Sequence, residues 1–427
     1  MKLNKVSPLL AISLLPLLAT LLILKGDLPD PDRNAHDLWA KQLINTGRLS
    51  ISENGVFDDW KLYYPNTVPK PVELITGIVR AGGGVFFHSA VVLLTSLLVL
   101  LAGWYASGGG REGVETAIYL GFNPVFIYLC LVSSPAVPFI GAMFLLQSTS
   151  GSGAGAVIAS LSRPEGFIYS IHHCIAKKKW KLLILPGAVC LGWLVFHRYT
   201  CGSFFWAVKE VKYTVSAMGY STPGPLTFLP WAGLRLILIL GAPAAAVLLF
   251  SFRRWQMRIP FSLNFLLLAA SLFMGSLVLP RYIDQLFLMA APFIFLETHR
   301  YFSGRRRTFA VIAMILFPSF QWVGTFPEIR QEERVRTFYE TFEFPSAGVT
   351  AVNELLIPGI CLSRNIDDPG NLFVALDRAA WENATEEDLL QFGVSRIVIV
   401  PGGVYYPEHT EEWLQCIKFI EVKYFRE

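Results

Sequence analysis

Charged residues are scarce in this chain, and the shortage indicates its class. Only 16% of the 427 residues are charged, whereas 53% are hydrophobic. Soluble globular proteins have about 25% charged residues. The composition therefore argues against an ordinary soluble enzyme and predicts a polytopic membrane protein.

Several sequence motifs are also missing. The six cysteines form no C-x-x-C and no Cys/His metal spacing, and there is no internal repeat of about 20–50 residues. The C-terminal segment contains nothing that resembles a nucleotide-binding loop or a metal site. Cys361 and Cys416 both lie in that segment and could form a disulfide if it faces an oxidising space.

Long apolar runs predict the membrane spans. A bilayer core about 30 Å thick needs roughly 20 apolar residues per helix. By this criterion the chain has about nine full spans, at residues 6–24, 85–105, 114–132, 135–148, 182–197, 227–250, 260–279, 285–298 and 308–323. The first run has no small-residue cleavage site after it, so we interpret it as a retained span.

Basic residues cluster in loops that alternating spans place on one side of the membrane. Because basic loops stay in the cytoplasm, these clusters predict a cytoplasmic N-terminus. They lie at Lys2 and Lys5, at Arg111, and at residues 177–179, 253–258 and 300–307. Loop 25–84, the turn at Ser133-Ser134, loop 198–226 and residues 280–282 would then face outward. We favour the cell membrane of a prokaryote over the endoplasmic reticulum.

Residues 150–176 are apolar yet begin and end on the predicted cytoplasmic side. Two runs of about ten residues, 153–161 and 166–175, flank the segment Ser162-Arg163-Pro164-Glu165 and are each too short to cross. They predict a re-entrant or short helical hairpin with residues 163–165 at its tip. Such charges are tolerated inside a membrane protein when they face a cavity or a partner.

The sign of the charge changes near Thr325 and predicts a domain boundary. Residues 1–324 hold 27 Lys+Arg and 14 Asp+Glu, a net charge of +13, whereas residues 325–427 hold 9 and 18, a net charge of −9. We expect a transmembrane domain at 1–324, which includes the first external loop, and a soluble extracytoplasmic α/β domain at 325–427. Its predicted strands are 359–363, 372–376, 396–400 and 417–422, and its predicted helices are 347–356, 385–392 and 408–414.

The first external loop is rich in residues that can carry chemistry. Asp27, Asp30, Asp32, Arg33, His36 and Asp37 directly follow the first span. Asp30 and Asp32 would stand at the N-terminus of a helix, where the helix dipole favours negative charge. One interpretation is helix capping in a solvated acidic loop. The other is a general base that takes a proton from an acceptor hydroxyl.

Three cations from distant segments are predicted to lie toward the outer half of the membrane. Lys70 either anchors the chain beside an aromatic belt or contacts a lipid phosphate as a point charge. Arg163 could pair with Glu165, and Arg281 with Tyr282 could be a snorkelling arginine beside an interfacial tyrosine. Because three cations are predicted to lie on the same side of the membrane, we favour a role in binding an anion.

Short motifs in these segments resemble a known family. Asp32-Arg33-Asn34-Ala35-His36 stands fifteen residues before Gly47, and Lys70-Pro71-Val72-Glu73-Leu74 precedes the second span. Residues 162–166 form a third short motif, and Arg281-Tyr282 followed by Pro292 forms a fourth. The chain here resembles the GT-C superfamily of integral-membrane glycosyltransferases, nearest the branch of protein O-mannosyltransferases and aminoarabinose transferases. It departs from their usual pattern because Arg33 replaces a Glu, His36 replaces a Tyr, and Ser133-Ser134 stands where many relatives keep an acid.

The resemblance implies a reaction and roles for the candidate residues. The reaction is an inverting transfer of a monosaccharide from a polyprenyl-phosphate donor to a hydroxyl of a lipid, glycan or protein at the extracytoplasmic face. Asp32 would be the base, and Lys70, Arg281 and Arg163 would bind the donor phosphate. The supporting residues would be Asp30, Arg33, His36, Asp37, Glu165 and Tyr282. We expect no metal ligands among them and no nucleic acid partner, although a divalent cation stays an open alternative.

Two other classes of function stay open. A transporter or flippase for a lipid-linked anion would favour inverted repeats and broken helices that meet at the membrane midplane. The sequence indicates one broken hairpin, no repeat, and polar residues gathered at one surface. A non-catalytic assembly partner, whose acidic tail docks another protein, is the third class.

Overall fold

The computed structural model of the chain describes residues 7–29, 31–46, 71–81, 85–134, 136–148, 151–176, 178–201, 203–204, 225–251, 285, 287–341, 349–353, 356–365, 373–376, 394–398 and 419–421. Asp32 and Glu165 belong to described helices, but their side chains lie outside the description.

The described part of the chain is mostly helical. Its helices are α1 (Ser7–Ile23), α2 (Pro31–Thr46), α3 (Pro71–Ala81), α4 (Val85–Ala106), α5 (Gly110–Phe122), α6 (Pro124–Leu131), α7 (Ala136–Gln147), α8 (Ser152–Ser162), α9 (Pro164–Ala176), α10 (Ile184–Cys201), α11 (Pro225–Leu240), α12 (Ala242–Phe250), α13 (Ala291–Tyr301), α14 (Gly304–Leu316), α15 (Trp322–Thr341) and α16 (Ile357–Arg364). Three helices in the described ranges are long and apolar enough to cross a membrane, or up to five if each bent pair counts as one span. The helical, membrane-type character predicted from the sequence is therefore present.

Most of the predicted spans coincide with helices. Helices α1, α4 and α10 fall on the predictions at 6–24, 85–105 and 182–197. Helices α7 and α13 have only 12 and 11 residues, fewer than predicted for their spans. The span predicted at 260–279 lies outside the described residues.

Two of the predicted spans are bent pairs of helices. Helices α5 and α6 meet at Asn123 with a bend of 66°. The Asn123 side chain accepts hydrogen bonds from the backbone N–H groups of Val125 and Phe126, and so it caps α6. Helices α11 and α12 meet at Gly241 with a bend of 117°. Gly241 has φ +82°, a conformation that glycine adopts without strain.

The two breaks contact each other. Asn123 Nδ2 donates to the carbonyl oxygen of Ile239 at 2.9 Å, and the Tyr119 hydroxyl lies 3.3 Å from the carbonyl oxygens of Ile239 and Leu240. These bonds satisfy carbonyls that a broken helix leaves without a partner. The expectation that the hairpin at 150–176 is the single broken element is therefore wrong, because a capping Asn and a left-handed Gly interrupt two longer apolar runs.

The predicted hairpin is present as α8 and α9, which Arg163 alone connects. Its two helices pack closely: the Ser170 hydroxyl donates to the carbonyl oxygen of Ala156 at 3.1 Å. A Cβ atom at Gly166 would lie 1.9 Å from the carbonyl oxygen of Ala159. The absence of a side chain at Gly166 thus permits the close approach of the two helices.

Helix α4 connects the two ends of the helical region. Its first turns carry His88, beside α2 and α3, and its last turn carries Trp104, which fills the space that a Cβ at Gly113 of α5 would need. Its 22 residues correspond to about 33 Å of helix. We call the end with α2, α3 and His88 the α2 end, and the end with the start of α5 the α5 end.

Beyond α15 the chain contributes a parallel sheet. The strands are β1 (Val349–Asn353), β2 (Phe373–Leu376), β3 (Val394–Val398) and β4 (Phe419–Glu421), in the order β2-β1-β3-β4, and each neighbouring pair is parallel. The strand predictions at 372–376, 396–400 and 417–422 are confirmed where they overlap β2, β3 and β4. The helix predicted at 347–356 is wrong, because its β-branched residues form β1. The strand predicted at 359–363 is also wrong, because these residues lie in α16. The helices predicted at 385–392 and 408–414 lie outside the described residues.

The C-terminal segment is tied to the helical region. Helix α15 continues through Thr325, so the change in charge sign falls within a helix. Arg336 of α15 donates to the carbonyl oxygens of Leu24 and Asp27, which directly follow α1, at 2.7 and 3.2 Å. Helix α16 packs on α2, where Lys41 Nζ donates to Asn365 Oδ1 at 2.7 Å.

Candidate functional site

Four buried charged side chains alternate in sign at the α2 end: Asp27, Arg33, Asp37 and Arg80. Arg33 Nη1 lies 2.5 Å from Asp27 Oδ2, and Arg33 Nε lies 3.5 Å from Asp37 Oδ2. Arg80 contacts Asp37 Oδ1 with Nη2 at 2.6 Å and with Nε at 3.0 Å. We call these four residues the α2-end network. Because it has two acids and two arginines, its charges compensate one another, as burial requires.

Helix periodicity brings these side chains together. Arg33 and Asp37 are four residues apart and therefore share one face of α2. Helix α3 turns Leu74, Gly77 and Arg80 inward. A Cβ at Gly77 would lie 3.1 Å from Asp37 Oδ1 and 3.0 Å from Ala40 Cβ. The missing side chain of Gly77 thus lets α2 approach α3 closely enough for Asp37 to reach Arg80.

Neighbouring segments fix the network in place. Arg33 Nη1 also donates to the carbonyl oxygen of Leu28 at 2.8 Å, and Arg33 Nη2 lies 3.3 Å from His88 Nδ1. The other ring nitrogen of His88 lies 3.1 Å from the carbonyl oxygen of Arg80. The N–H group of Leu28 donates to the carbonyl oxygen of Leu131 at 3.0 Å, which joins this loop to the end of α6. The network therefore links α1, α2, α3, α4 and α6.

Beside the network lies a cavity of about 180 Å³, and Arg80 is part of its wall. Its polar wall includes Thr76, Thr95 and the turn Ser133-Ser134, and its apolar wall includes valines from α3, α4 and α7. A cavity with one arginine, several hydroxyl groups and apolar walls suits a ligand that has an anionic and an apolar part.

Arg163, at the tip of the α8–α9 hairpin, is buried near the same end. Its guanidinium lies 5.6 Å from the centre of the Phe139 ring in α7, next to Pro138 of the cavity wall. Helix α3 also contacts α8. The structure thus brings Arg163 to the side of the molecule that carries Arg80.

The structure describes only some of the other predicted site residues. Arg33 and Asp37 belong to the α2-end network, and His36 is fully buried, with its ring 5.6 Å from that of Trp39 in an edge-to-face contact. Asp32 lies in the first turn of α2, one residue before Arg33. Asp30, Lys70, Arg281 and Tyr282, and the side chains of Asp32 and Glu165, lie outside the described residues. The predicted convergence of Asp32, Lys70 and Arg281 therefore stays a prediction.

Sequence reasoning missed Arg80 and His88. A signal for Arg80 exists, because the run 71–81 has helical periodicity and places this arginine on the same face as Leu74 and Gly77. A charged residue on the inward face of an amphipathic helix needs a partner. The sequence does not indicate which acid provides it, since Asp37 is 43 residues away.

A second charged cluster lies at the α5 end. His299 of α13 lies between two acids of α5: its Nδ1 is 3.0 Å from Glu112 Oε1, and its Nε2 is 2.5 Å from Glu115 Oε2. Arg111 Nε donates to Glu115 Oε1 at 2.9 Å. We call these four residues the α5-end cluster. It joins α5 to α13 across the molecule.

The described residues contain no group of three or more His, Cys, Asp or Glu side chains placed to hold a metal ion. No protein family, no curated protein and no solved structure matches this chain.

The α2 end has an arrangement that suits the binding of an anion. Asp37 holds one edge of the Arg80 guanidinium, and so Arg80 keeps a defined position at the cavity wall. An arginine held rigidly at the wall of a cavity is an arrangement that can bind an anion.

Proposed function

We propose that this protein is an integral-membrane glycosyltransferase that moves a monosaccharide from a polyprenyl-phosphate donor to an acceptor hydroxyl at the extracytoplasmic face, with inversion. The observation that carries the proposal is the cavity beside the α2-end network, with the Arg80 guanidinium in its wall. The resemblance of short motifs to those of GT-C glycosyltransferases also supports it.

In the proposed reaction, Asp32 takes the proton of the acceptor hydroxyl as the acceptor oxygen attacks the anomeric carbon. The new C–O bond forms on one face of the sugar while the bond to the phosphate oxygen breaks on the other. The lipid phosphate leaves with its bonding electron pair, so negative charge grows on it in the transition state. Lys70, Arg281 and Arg163 are proposed to stabilise that charge.

Arg80 is an additional candidate for this role. It is buried at the cavity wall and Asp37 fixes its orientation. Fixed donors aimed at developing charge need little reorganisation during the reaction. The valines of the cavity wall suit the first isoprene units of the donor.

We further propose that residues 325–427 form an extracytoplasmic α/β domain that takes part in acceptor recognition. The contact of α16 with α2 supports this proposal, because α2 carries Asp32. An acceptor held by the sheet and α16 would lie beside the helix that carries the proposed base.

Purified protein in vesicles, incubated with a panel of labelled polyprenyl-phosphate sugars and acceptors, tests the proposal. Transfer of label to an acceptor is expected. The variant Thr95→Phe fills the cavity and should abolish transfer while it leaves all four residues of the α2-end network unsubstituted. Leu94→Phe on the exposed side of the same helix is the matched control and should retain transfer. Equal activity of the two variants, or no transfer with any donor, would contradict the proposal.

A second candidate function is a transporter or flippase for a lipid-linked anion. The contact between the breaks at Asn123 and Gly241 favours it, because broken helices that meet within a membrane are typical of secondary transporters. The same vesicles distinguish the two functions. Movement of intact labelled lipid between leaflets, without transfer of the sugar, would support the transporter.

A further inference from the structure

The first turn of α14 carries exposed cations at the α5 end of the molecule. Helix α13 ends at Tyr301, and α14 begins three residues later at Gly304. Arg305 and Arg306 are both exposed. Helix α14 also begins a long apolar run, Gly304–Glu340, which is a candidate membrane span. The two arginines therefore stand where a span would enter the bilayer.

One face of α14 below Arg305 is apolar and exposed. Phe309, Ile312 and Leu316 are 75%, 49% and 60% exposed. They follow Arg305 by four, seven and eleven residues, so they lie on its face of the helix. Val311 and Met314 are buried on the opposite face. In a span, an exposed apolar stripe of this kind contacts acyl chains.

The acids near this position already have side-chain partners. Glu115 contacts Arg111 and His299, Glu112 contacts His299, and Glu297 contacts Arg300. In contrast, no acid of the described ranges pairs with Arg305 or Arg306. The positive charge of these two side chains is therefore uncompensated within the described part of the protein.

We propose that Arg305 and Arg306 bind the phosphate of an anionic phospholipid at the α5 end, and that its acyl chains lie along Phe309, Ile312 and Leu316. The continuity of the charged and apolar surfaces selects a lipid rather than a soluble phosphate. The site is separate from the cavity at the α2 end, so the inference goes beyond the proposed enzyme function and does not depend on it.

Lipid titration of the purified full chain in neutral detergent tests the site. Short-chain phosphatidylglycerol should raise the melting temperature, whereas phosphatidylcholine and inorganic phosphate should not. An arginine near an anionic lipid surface contributes about five-fold in affinity, so the variant R305Q/R306Q should bind about 25-fold more weakly. The charge-preserving variant R305K/R306K should keep most of the binding, which separates loss of charge from loss of fold.

A matched control removes two exposed arginines from the other end of the same run. The variant R330Q/R334Q on α15 lowers the charge equally and should titrate like the original protein. The inference is overturned if both double variants lose the same affinity, if phosphatidylcholine binds as well as phosphatidylglycerol, or if inorganic phosphate reproduces the whole shift.

Discussion

The two ends of the helical region both bury carboxylates beside cations, but they use different parts of the chain. The α2-end network uses Asp27, Arg33, Asp37 and Arg80, all from the first segment between spans. The α5-end cluster joins Glu115 to His299, which is 184 residues away. The first network lies beside a cavity, whereas the second joins two helices that are distant in sequence.

The difference separates the role in chemistry that we propose for the α2 end from a role in stability at the α5 end. Both sets should be costly to disrupt, because a buried charge that loses its partner is destabilising. Only the α2-end network has a member in the wall of the described cavity. Variants at the two ends should therefore differ in activity even where they agree in stability.

The largest expected effect is on the rate of transfer. We predict that Asp32→Asn lowers turnover by about 10²–10⁴-fold, because the variant lacks the proposed base. Glu112→Gln at the α5 end removes a carboxylate too and should leave turnover unchanged. Initial rates with a saturating donor measure both variants. Full activity of Asp32→Asn would exclude this residue as the base.

The next prediction compares stability and activity at the two ends. Asp37→Asn leaves the buried Arg80 without the carboxylate that it contacts, which should lower the free energy of unfolding by about 3–5 kcal/mol. Glu115→Gln should cost less, because Arg111 is exposed and His299 keeps its contact with Glu112. Only Asp37→Asn should also lower turnover per folded molecule, because Arg80 loses its orientation. Thermal melting in detergent, with activity measured on the folded fraction, separates these effects. A loss of turnover in both variants would remove the distinction between the two ends.

A smaller effect is expected from the packing between α2 and α3. Gly77→Ala would place a methyl group about 3 Å from Asp37 and Ala40, and such overpacking costs about 1–3 kcal/mol. Gly187 of α10 has open space around it, so Gly187→Ala should be neutral or slightly stabilising. Melting temperatures of the two variants give the comparison. If Gly77→Ala is as stable as Gly187→Ala, close contact of α2 and α3 is not required.

The smallest effect should come from the exposed contact between α2 and α16. Lys41→Ala removes one hydrogen bond to Asn365 that faces solvent, and we expect a loss of less than about 1 kcal/mol. Acceptor affinity should change more than stability if residues 325–427 recognise the acceptor. An unchanged KM for the acceptor together with a large loss of stability would reverse this prediction.

The sequence predicted the parts of the fold that local composition determines. Apolar runs predicted the principal helices, and the short runs on either side of Arg163 predicted the hairpin. The pairing of Arg80 with Asp37 and the contact of Asn123 with Ile239 join segments that are far apart along the chain. Hydrophobic periodicity carries no information about such contacts.

The errors near β1 and α16 have a local cause. Residues 347–356 contain alanine and leucine, which favour a helix, but the β-branched Val349, Thr350 and Val352 lie in the strand. Residues 359–363 are short and apolar, and such a run does not distinguish strand from helix. Pro358 lies in the first turn of α16, where proline suits a helix start.

The two hydrogen bonds of Arg336 have a practical consequence for dissecting this protein. They satisfy the backbone oxygens of Leu24 and Asp27 in the turn that follows α1. A truncation before α15 would leave those oxygens without a donor and loosen the residue that holds Arg33. A shortened protein that has lost activity would therefore not reveal whether the sheet itself contacts the acceptor, and deletions that begin after Thr341 are the safer design.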